Sequence, residues 1–146
     1  MTDSQCIKLA ELSVVSVDAD QTLPIRHKVL WPDQALDFSK VDGDEEARHF
    51  GVALNDELIS VASIFFETDD TARLRKFATL PEFQGQGVGS HLLKHILEDL
   101  RSSGCSMLWC DGREAAKAFY QRLGFEASGE RFFKKDIAYF KMTKRL

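Results

Sequence analysis

Apolar and polar residues alternate along this chain in blocks, and the period of the alternation changes from block to block. Residues 7–17 are apolar at strand spacing and predict a first strand. Residues 24–30 predict a short helix, with Pro24 in its first turn, where a missing N–H costs little, and Trp31-Pro32 as its stop. Residues 33–46 are polar and acidic, include Gly43, and predict an exposed loop. Two apolar runs follow, 49–54 and 58–66, joined at Asn55-Asp56-Glu57 as a hairpin. Thr68-Asp69-Asp70 turns the chain into another strand, residues 74–81, closed by Pro81. The period then becomes helical: Val88, Leu92, Leu93, Ile96, Leu97 and Leu100 share one face, opposed by Lys94, Glu98 and Arg101. A short apolar run, 107–110, leads to a second helix over 115–123. Gly124 is placed as its left-handed cap, with Phe125 packing back. Residues 125–130 and 137–143 supply two last strands.

The order is strand, helix, three strands, helix, strand, helix, two strands. That order predicts an α/β sandwich about a mixed, mostly antiparallel sheet. No repeat, low-complexity tract or linker divides the chain, so a single domain over 5–146 is expected. A length of 146 residues suffices to bury about two-thirds of the unfolded surface. The net charge of −4 argues against a general nucleic-acid binder, which needs a basic face. No apolar run is long enough to span a membrane, and the start, with Asp3, does not read as a signal peptide. Cys6, Cys105 and Cys110 are odd in number and lack metal spacing. They read as free thiols of a cytoplasmic protein. His91 and His95 are four apart, but Leu92-Leu93-Lys94 lacks the glutamate of a metalloprotease helix, so no metal site is expected.

The segment Gln84-Gly85-Gln86-Gly87-Val88-Gly89, followed by Ser90, carries the most chemistry. Alternate glycines permit close backbone approach, and the amides project at the positive end of the following helix, which suits an anion such as a pyrophosphate. A dinucleotide fingerprint starting at Gly85 needs glycine where Ser90 stands, and the Gly-Lys-Ser/Thr ending of a P-loop is absent. The residues point to a phosphate cradle of another kind. Three glycines would be a wasteful way to build a plain turn, given the entropy each loses on folding.

Residues 84–89 also match the Gln/Arg-x-x-Gly-x-Gly/Ala signature of acyl-CoA N-acetyltransferases. Residues 116–125 match an Ala-x-x-Phe-Tyr-x-x-Leu-Gly-Phe helix. With the two motifs in this order, about 30 residues apart, the chain resembles the GNAT family over nearly its whole length. The resemblance implies a GNAT-type sandwich with splayed central strands and helices on both faces. It implies acetyl-CoA as co-substrate, no metal, and transfer to a primary amine by direct attack in a ternary complex. The family commonly has two short helices after its first strand; only one is clear here.

By that resemblance the pyrophosphate rests on the amides from Gln84 to Ser90, and pantetheine pairs with the strand at Phe77, Ala78 and Thr79. Phe119 flanks the cofactor, and Tyr120 protonates the leaving sulfur. Spacing alone favours Tyr120 as an amphipathic core residue with its hydroxyl at the surface; its place after Phe119 and before Leu123-Gly124-Phe125 reverses that preference. Asp111 reads as the N-cap of the second helix. Arg113 either reaches a cofactor oxygen or is a solvated first-turn residue. Cys110 reads as a packing residue.

A general base is harder to find. Relatives often carry a glutamate at or two residues after position 73, where this chain has Arg73, Arg75 and Lys76. Glu67 and His49 on neighbouring strands, or a water relay, are the alternatives. Arg75 either clamps a carboxylate or phosphate of the acceptor or joins an ion pair within the protein. The run Phe132-Phe133-Lys134-Lys135 is too short for a nucleic-acid platform, and its aromatics are expected at the acceptor pocket or a subunit interface. The acceptor is a small-molecule or peptide amine, and a homodimer remains open. The alternative function is a non-catalytic acyl-CoA-binding sensor or regulatory module that keeps the cradle without turnover.

Overall fold

The strands pair into one seven-stranded sheet in the order β1-β2-β3-β4-β5-β7-β6. They are β1 (Ser13–Val17), β2 (Arg48–Leu54), β3 (Glu57–Phe66), β4 (Thr71–Thr79), β5 (Met107–Arg113), β6 (Glu126–Lys134) and β7 (Ile137–Arg145). The helices are α1 (Ala19–Leu30), α2 (Val88–Ser102) and α3 (Lys117–Arg122). The computed structural model describes residues 8–68 and 70–146. All neighbouring strands run antiparallel except β4 and β5, which are parallel. The α/β class, the element order and the mixed sheet agree with the sequence reading.

The helices cover both faces because each presents one apolar stripe. On one face Leu92, Leu93, Ile96 and Leu100 of α2 are fully buried against Val52, Ile64, Ala72 and Leu74 of the sheet. On the other, Ile25 of α1 packs with Val61 and Ala78. The hairpin between β2 and β3 turns at Asn55 (φ 52°) and Asp56 (φ 68°). Two left-handed residues in a two-residue loop match the right-handed twist of the strands they join. Helix α3 closes as expected: Gly124 (φ 94°) lets Phe125 N–H reach Tyr120 O at 3.1 Å and Gly124 N–H reach Gln121 O at 3.0 Å.

Three local expectations need correction. Residue 7 lies outside the described residues, and Leu9–Glu11 form a 3-10 turn, so the first strand begins only at Ser13. The turn's own backbone bonds occupy the donors of Glu11 and Leu12, which a strand ladder would need. Helix α1 starts at Ala19, not Pro24. Asp18 accepts from Gln21 N–H, and the Gln21 side chain accepts from Asp18 N–H, both at 2.9 Å. This capping box starts the helix a full turn early, and Pro24 falls on its exposed side in the second turn.

The acidic segment 33–46 is not simply exposed. It forms two 3-10 turns, Leu36–Ser39 and Asp44–Glu46, and Ser39 and Asp44 are buried. The cause is Arg26, which α1 presents to the interior with no exposed surface. Its Nη1 donates to Ser39 O (3.1 Å) and Asp44 Oδ2 (2.9 Å), and its Nη2 to Asp44 Oδ1 (3.0 Å) and Ser63 Oγ (2.9 Å). His49 completes the cluster through Ser63 Oγ (2.6 Å) and Asp44 O (2.7 Å). Burial opposes ionisation of Asp44. The hydrogen bonds from Arg26 and from Val41 N–H outweigh it and hold the carboxyl below its ordinary range.

Asp44→Asn leaves the Arg26 charge buried without its counter-ion, so a loss of about 3–5 kcal/mol is expected, read as a lower urea midpoint. Because the folded carboxyl titrates below its unfolded value of about 3.9, its stabilisation is complete above that pH and disappears as pH falls through the lower folded value. Acid denaturation of the variant should therefore lack this contribution.

Candidate active site

The parallel ladder between β4 and β5 is short. It pairs Thr71 with Met107, Ala72 with Leu108 and Arg73 with Trp109, and then stops. Beyond that point β4 stays with β3 as far as Thr79 opposite Ser60. Strand β5 stays with β7 as far as Arg113 opposite Tyr139. The two strands therefore splay, and the gap between them widens into a cleft of about 790 Å³.

A bulge aims the side chains of β4 into this gap. Val61 faces Ala78 while Ser63 faces Arg75, so Ala62 opposes both Lys76 and Phe77. Lys76 takes up the extra residue with φ 55°. The bulge reverses the alternation of faces. Before it, Ala72 and Leu74 point to the α2 side; after it, Phe77 does so and Ala78 packs with α1. Ser60 Oγ ties the far end of β4 by bonds to Ala78 O (3.0 Å) and Thr79 Oγ1 (2.8 Å).

The glycine segment forms the wall at the entry to α2. Gly85 (φ 76°) and Gly87 (φ 87°) adopt left-handed backbone, which L side chains disfavour. A Cβ at Gly89 would lie 3.2 Å from Phe77 Cζ, so the helix start sits directly against β4. His91 N–H is the first to close a helical bond, to Gly87 O at 2.9 Å, and no side chain caps the helix. The amides of Val88, Gly89 and Ser90 are left at the positive end of the helix, a geometry suited to an anion. Gln84 does not point at a ligand; its Nε2 donates to Thr79 O at 2.8 Å and ties the loop to β4.

Tyr120 enters the cleft from α3 and is buried to 7% exposure. Its ring is held between Phe119 and Phe125, each with centroids 5.4 Å away, and Phe77 at 6.4 Å. Gly112 of β5 leaves the space for that ring, since a Cβ there would lie 2.8 Å from Tyr120 Cε2. Burial, and then the adjacent Cys110, raise the phenol well above its ordinary value, so it stays protonated. Burial likewise pushes the Cys110 thiol up to about 12, which removes it as a thiolate nucleophile near neutral pH.

The cleft brings together Phe77, Ala78, Thr79, Gln84, Gly85, Gly87, Val88, Gly89, Ser90, Phe119, Tyr120, Arg113 and Arg75. Gln86 is absent from its lining; its Nε2 turns back to Glu82 O at 3.2 Å. Glu67 and His49 also lie outside it. Glu67 accepts from Trp109 Nε1 at 2.7 Å, and both ring nitrogens of His49 are engaged beneath α1. Asp111 is not a helix cap. It lies within β5, where its Oδ2 takes Arg73 Nη2 at 2.8 Å and Lys134 Nζ at 3.0 Å. Arg113 lines the cleft but donates to Leu30 O at 2.8 Å and lies over the Trp31 ring. Trp31, Lys134 and Tyr139 are lining residues that no motif marks.

The cleft is thus a strand gap walled by a glycine-rich helix entry and a buried tyrosine. The model of the "Acetyltransferase (GNAT) family" matches residues 15–125. The chain is 36% identical over 129 residues to the "Uncharacterized N-acetyltransferase YitI" of Bacillus subtilis, covering 83% of this chain and 87% of that protein. It is 28% identical over 120 residues to the [ribosomal protein bS18]-alanine N-acetyltransferase of Salmonella typhimurium, covering 78% and 81%. In fold it is similar to the Escherichia coli ribosomal-protein-S18-alanine N-acetyltransferase (TM-score 0.78, 23% identity, 92% and 93% coverage). It is also similar to a GNAT acetyltransferase of Elizabethkingia anophelis whose crystal structure has acetyl-CoA bound (TM-score 0.70, 17% identity, 93% and 99% coverage). This chain belongs to the GNAT acetyltransferase family.

Gly112→Ala should force the Tyr120 ring out of its seat. A cost of about 1–3 kcal/mol is expected from overpacking, measured as a lower Tm together with changed tyrosine fluorescence.

Proposed function

We propose that this protein is an acetyl-CoA-dependent N-acetyltransferase acting on a primary amine. The observation that carries this reading is the single cleft in which unpaired amides at the start of α2 share a wall with β4 and with the Tyr120 phenol. The fit to the cofactor rests on the same features. Left-handed Gly85 and Gly87 and the side-chain-free surface of Gly89 form a cradle that added Cβ atoms would strain or fill.

When bound, acetyl-CoA supplies an activated acetyl group and a thiolate leaving group. The amides of Val88, Gly89 and Ser90 hold the pyrophosphate, and the edge of β4 at Phe77 to Thr79 aligns the pantetheine arm. Phe77 and Phe119, with ring centroids 5.8 Å apart, exclude water from the reacting end. Tyr120 holds its proton at Oη and gives it to the departing sulfur, a general-acid role. Its raised pKa keeps that proton available throughout the working pH range. Asp111 is unsuited to act as a general base, because two cations already hold its carboxylate.

Purified, cofactor-stripped protein should be stabilised by acetyl-CoA and coenzyme A, and not by ATP or NAD, in a thermal-shift titration. At about a hundred times Kd the gain is roughly 2.7 kcal/mol; no shift with either coenzyme A species would overturn the assignment. Tyr120→Phe should lower kcat by about 10²–10⁴-fold while leaving that stabilisation intact. In the parent enzyme, any loss of rate from ionisation of Tyr120 should appear only above about pH 10, the ordinary tyrosine value. A sensor without turnover would bind coenzyme A equally well but release no thiol with any amine.

A further inference from the structure

A second hollow, of about 410 Å³, adjoins the cleft and shares Trp31, Arg75, Lys76, Lys134 and Tyr139 with it. Its charged lining is Lys40, Arg75, Lys76, Lys134 and Lys135 against one acid, Asp42. This concentration of positive charge stands out in a chain whose net charge is −4. Two of the five cations have carboxylate partners: Lys134 pairs with Asp111 at 3.0 Å, and Lys40 with the exposed Asp37 at 3.3 Å. Among the described residues, Arg75, Lys76 and Lys135 form no salt bridge. Aromatic surface completes the walls, with Trp31 edge-on to Phe38 at 5.3 Å and Tyr139 on the other side.

Resting on the acetyltransferase reading, we infer that the acceptor is an amine that also carries an anionic group, a carboxylate or a phosphate, which Arg75, Lys76 and Lys135 receive in this hollow. Arg75 offers the planar fork that binds either anion in two-point fashion, and the lysines add point charges. The inference is independent of the cofactor cradle, because Gly85 and Gly87 line the cleft but not the second hollow.

The same cations supply what a general base otherwise would. A cationic field disfavours an ammonium group relative to the free amine. Lys76 registers that field: burial, and then Arg75, Arg26, Lys134 and Arg113, bring its ammonium down to about 8. Burial and Arg73 act on Arg75 in the same direction. An acceptor anchored by its anion places its amine in the same surroundings and loses a proton to water more readily. The free amine then forms the N–C bond as the C–S bond breaks, and the sulfur takes the Tyr120 proton. The nitrogen's surplus proton passes to water, and Tyr120 regains a proton from water, so that the step balances.

The test is thiol release from acetyl-CoA with matched amines: glycine and β-alanine as carboxylates, O-phosphoethanolamine as a phosphate, ethanolamine as neutral and spermidine as cationic. The expected result is at least tenfold higher kcat/KM for the carboxylate or the phosphate arm than for ethanolamine, and the faster arm identifies the anion. Arg75→Gln and, separately, Lys135→Gln should raise the acceptor KM tenfold or more while KM for acetyl-CoA stays within twofold. Arg75→Lys should restore part of the loss, which a merely structural role would not produce. Ethanolamine or spermidine turning over as fast as the anionic amines would overturn this assignment and leave the acetyltransferase reading standing. Thiol release with none of the panel would also overturn the assignment, whereas the reading beneath it falls if acetyl-CoA fails to stabilise the protein or if no amine of any class, peptides included, supports thiol release.

Discussion

The site depends on the early end of one parallel ladder. Strands β4 and β5 pair for three residues and then diverge because each is held by a different neighbour. Unpaired strand edges inside a sheet are costly, since their N–H and C=O groups must find other partners. Here those edges form the inner walls of the cleft, available to a ligand that brings its own amides. Two contacts border the splay. Arg73 bridges to Asp111 just where pairing ends, and the Tyr120 ring fills the space beside Gly112 that a side chain would otherwise take.

The bulge at Lys76 links this sheet geometry to chemistry. One extra residue moves Phe77 to the face where Phe119 and Gly89 meet it, and Arg75 and Lys76 beside it line both the cleft and the second hollow. Were β4 paired regularly through Lys76 instead of bulged there, strict alternation from Leu74 would carry Phe77 to the α1 face, away from Phe119 and Gly89. One local irregularity thus shapes both the wall shared with α2 and the lining of the second hollow.

Beneath α1, the Arg26 cluster ties down one rim of the second hollow. Buried ionic groups contribute little net stability compared with apolar packing, yet breaking one partner away is costly. Arg26 therefore fastens the segment 33–46, which carries Phe38, Lys40 and Asp42 to the rim of the second hollow. The GNAT frame is shared across distant sequences, as the 17–23% identities of similar folds indicate. On that frame this chain carries a cationic lining of Lys40, Arg75, Lys76, Lys134 and Lys135.

The sequence by itself determined the class and order of elements, because periodicity, turn chemistry and the capping glycine at 124 are local signals that packing reinforced. It also determined the glycine entry to α2 and the Phe119-Tyr120 pair, whose spacing is carried within single elements. Only the tertiary structure decided which charges meet. Arg26 reads as an ordinary helix residue until α1 turns it inward onto Asp44, 18 positions away. Asp111 suits a helix cap until the strand register sets it between Arg73 and Lys134. Glu67 and His49 are plausible bases in one dimension, but strand length and facing direction send one to the sheet end and the other beneath α1. The splay itself has no signature in the sequence, since it arises from β4 and β5 each keeping its antiparallel partner at the expense of the other. Long-range pairing of this kind is a property of register and bulge position, which a pattern of residues constrains without specifying.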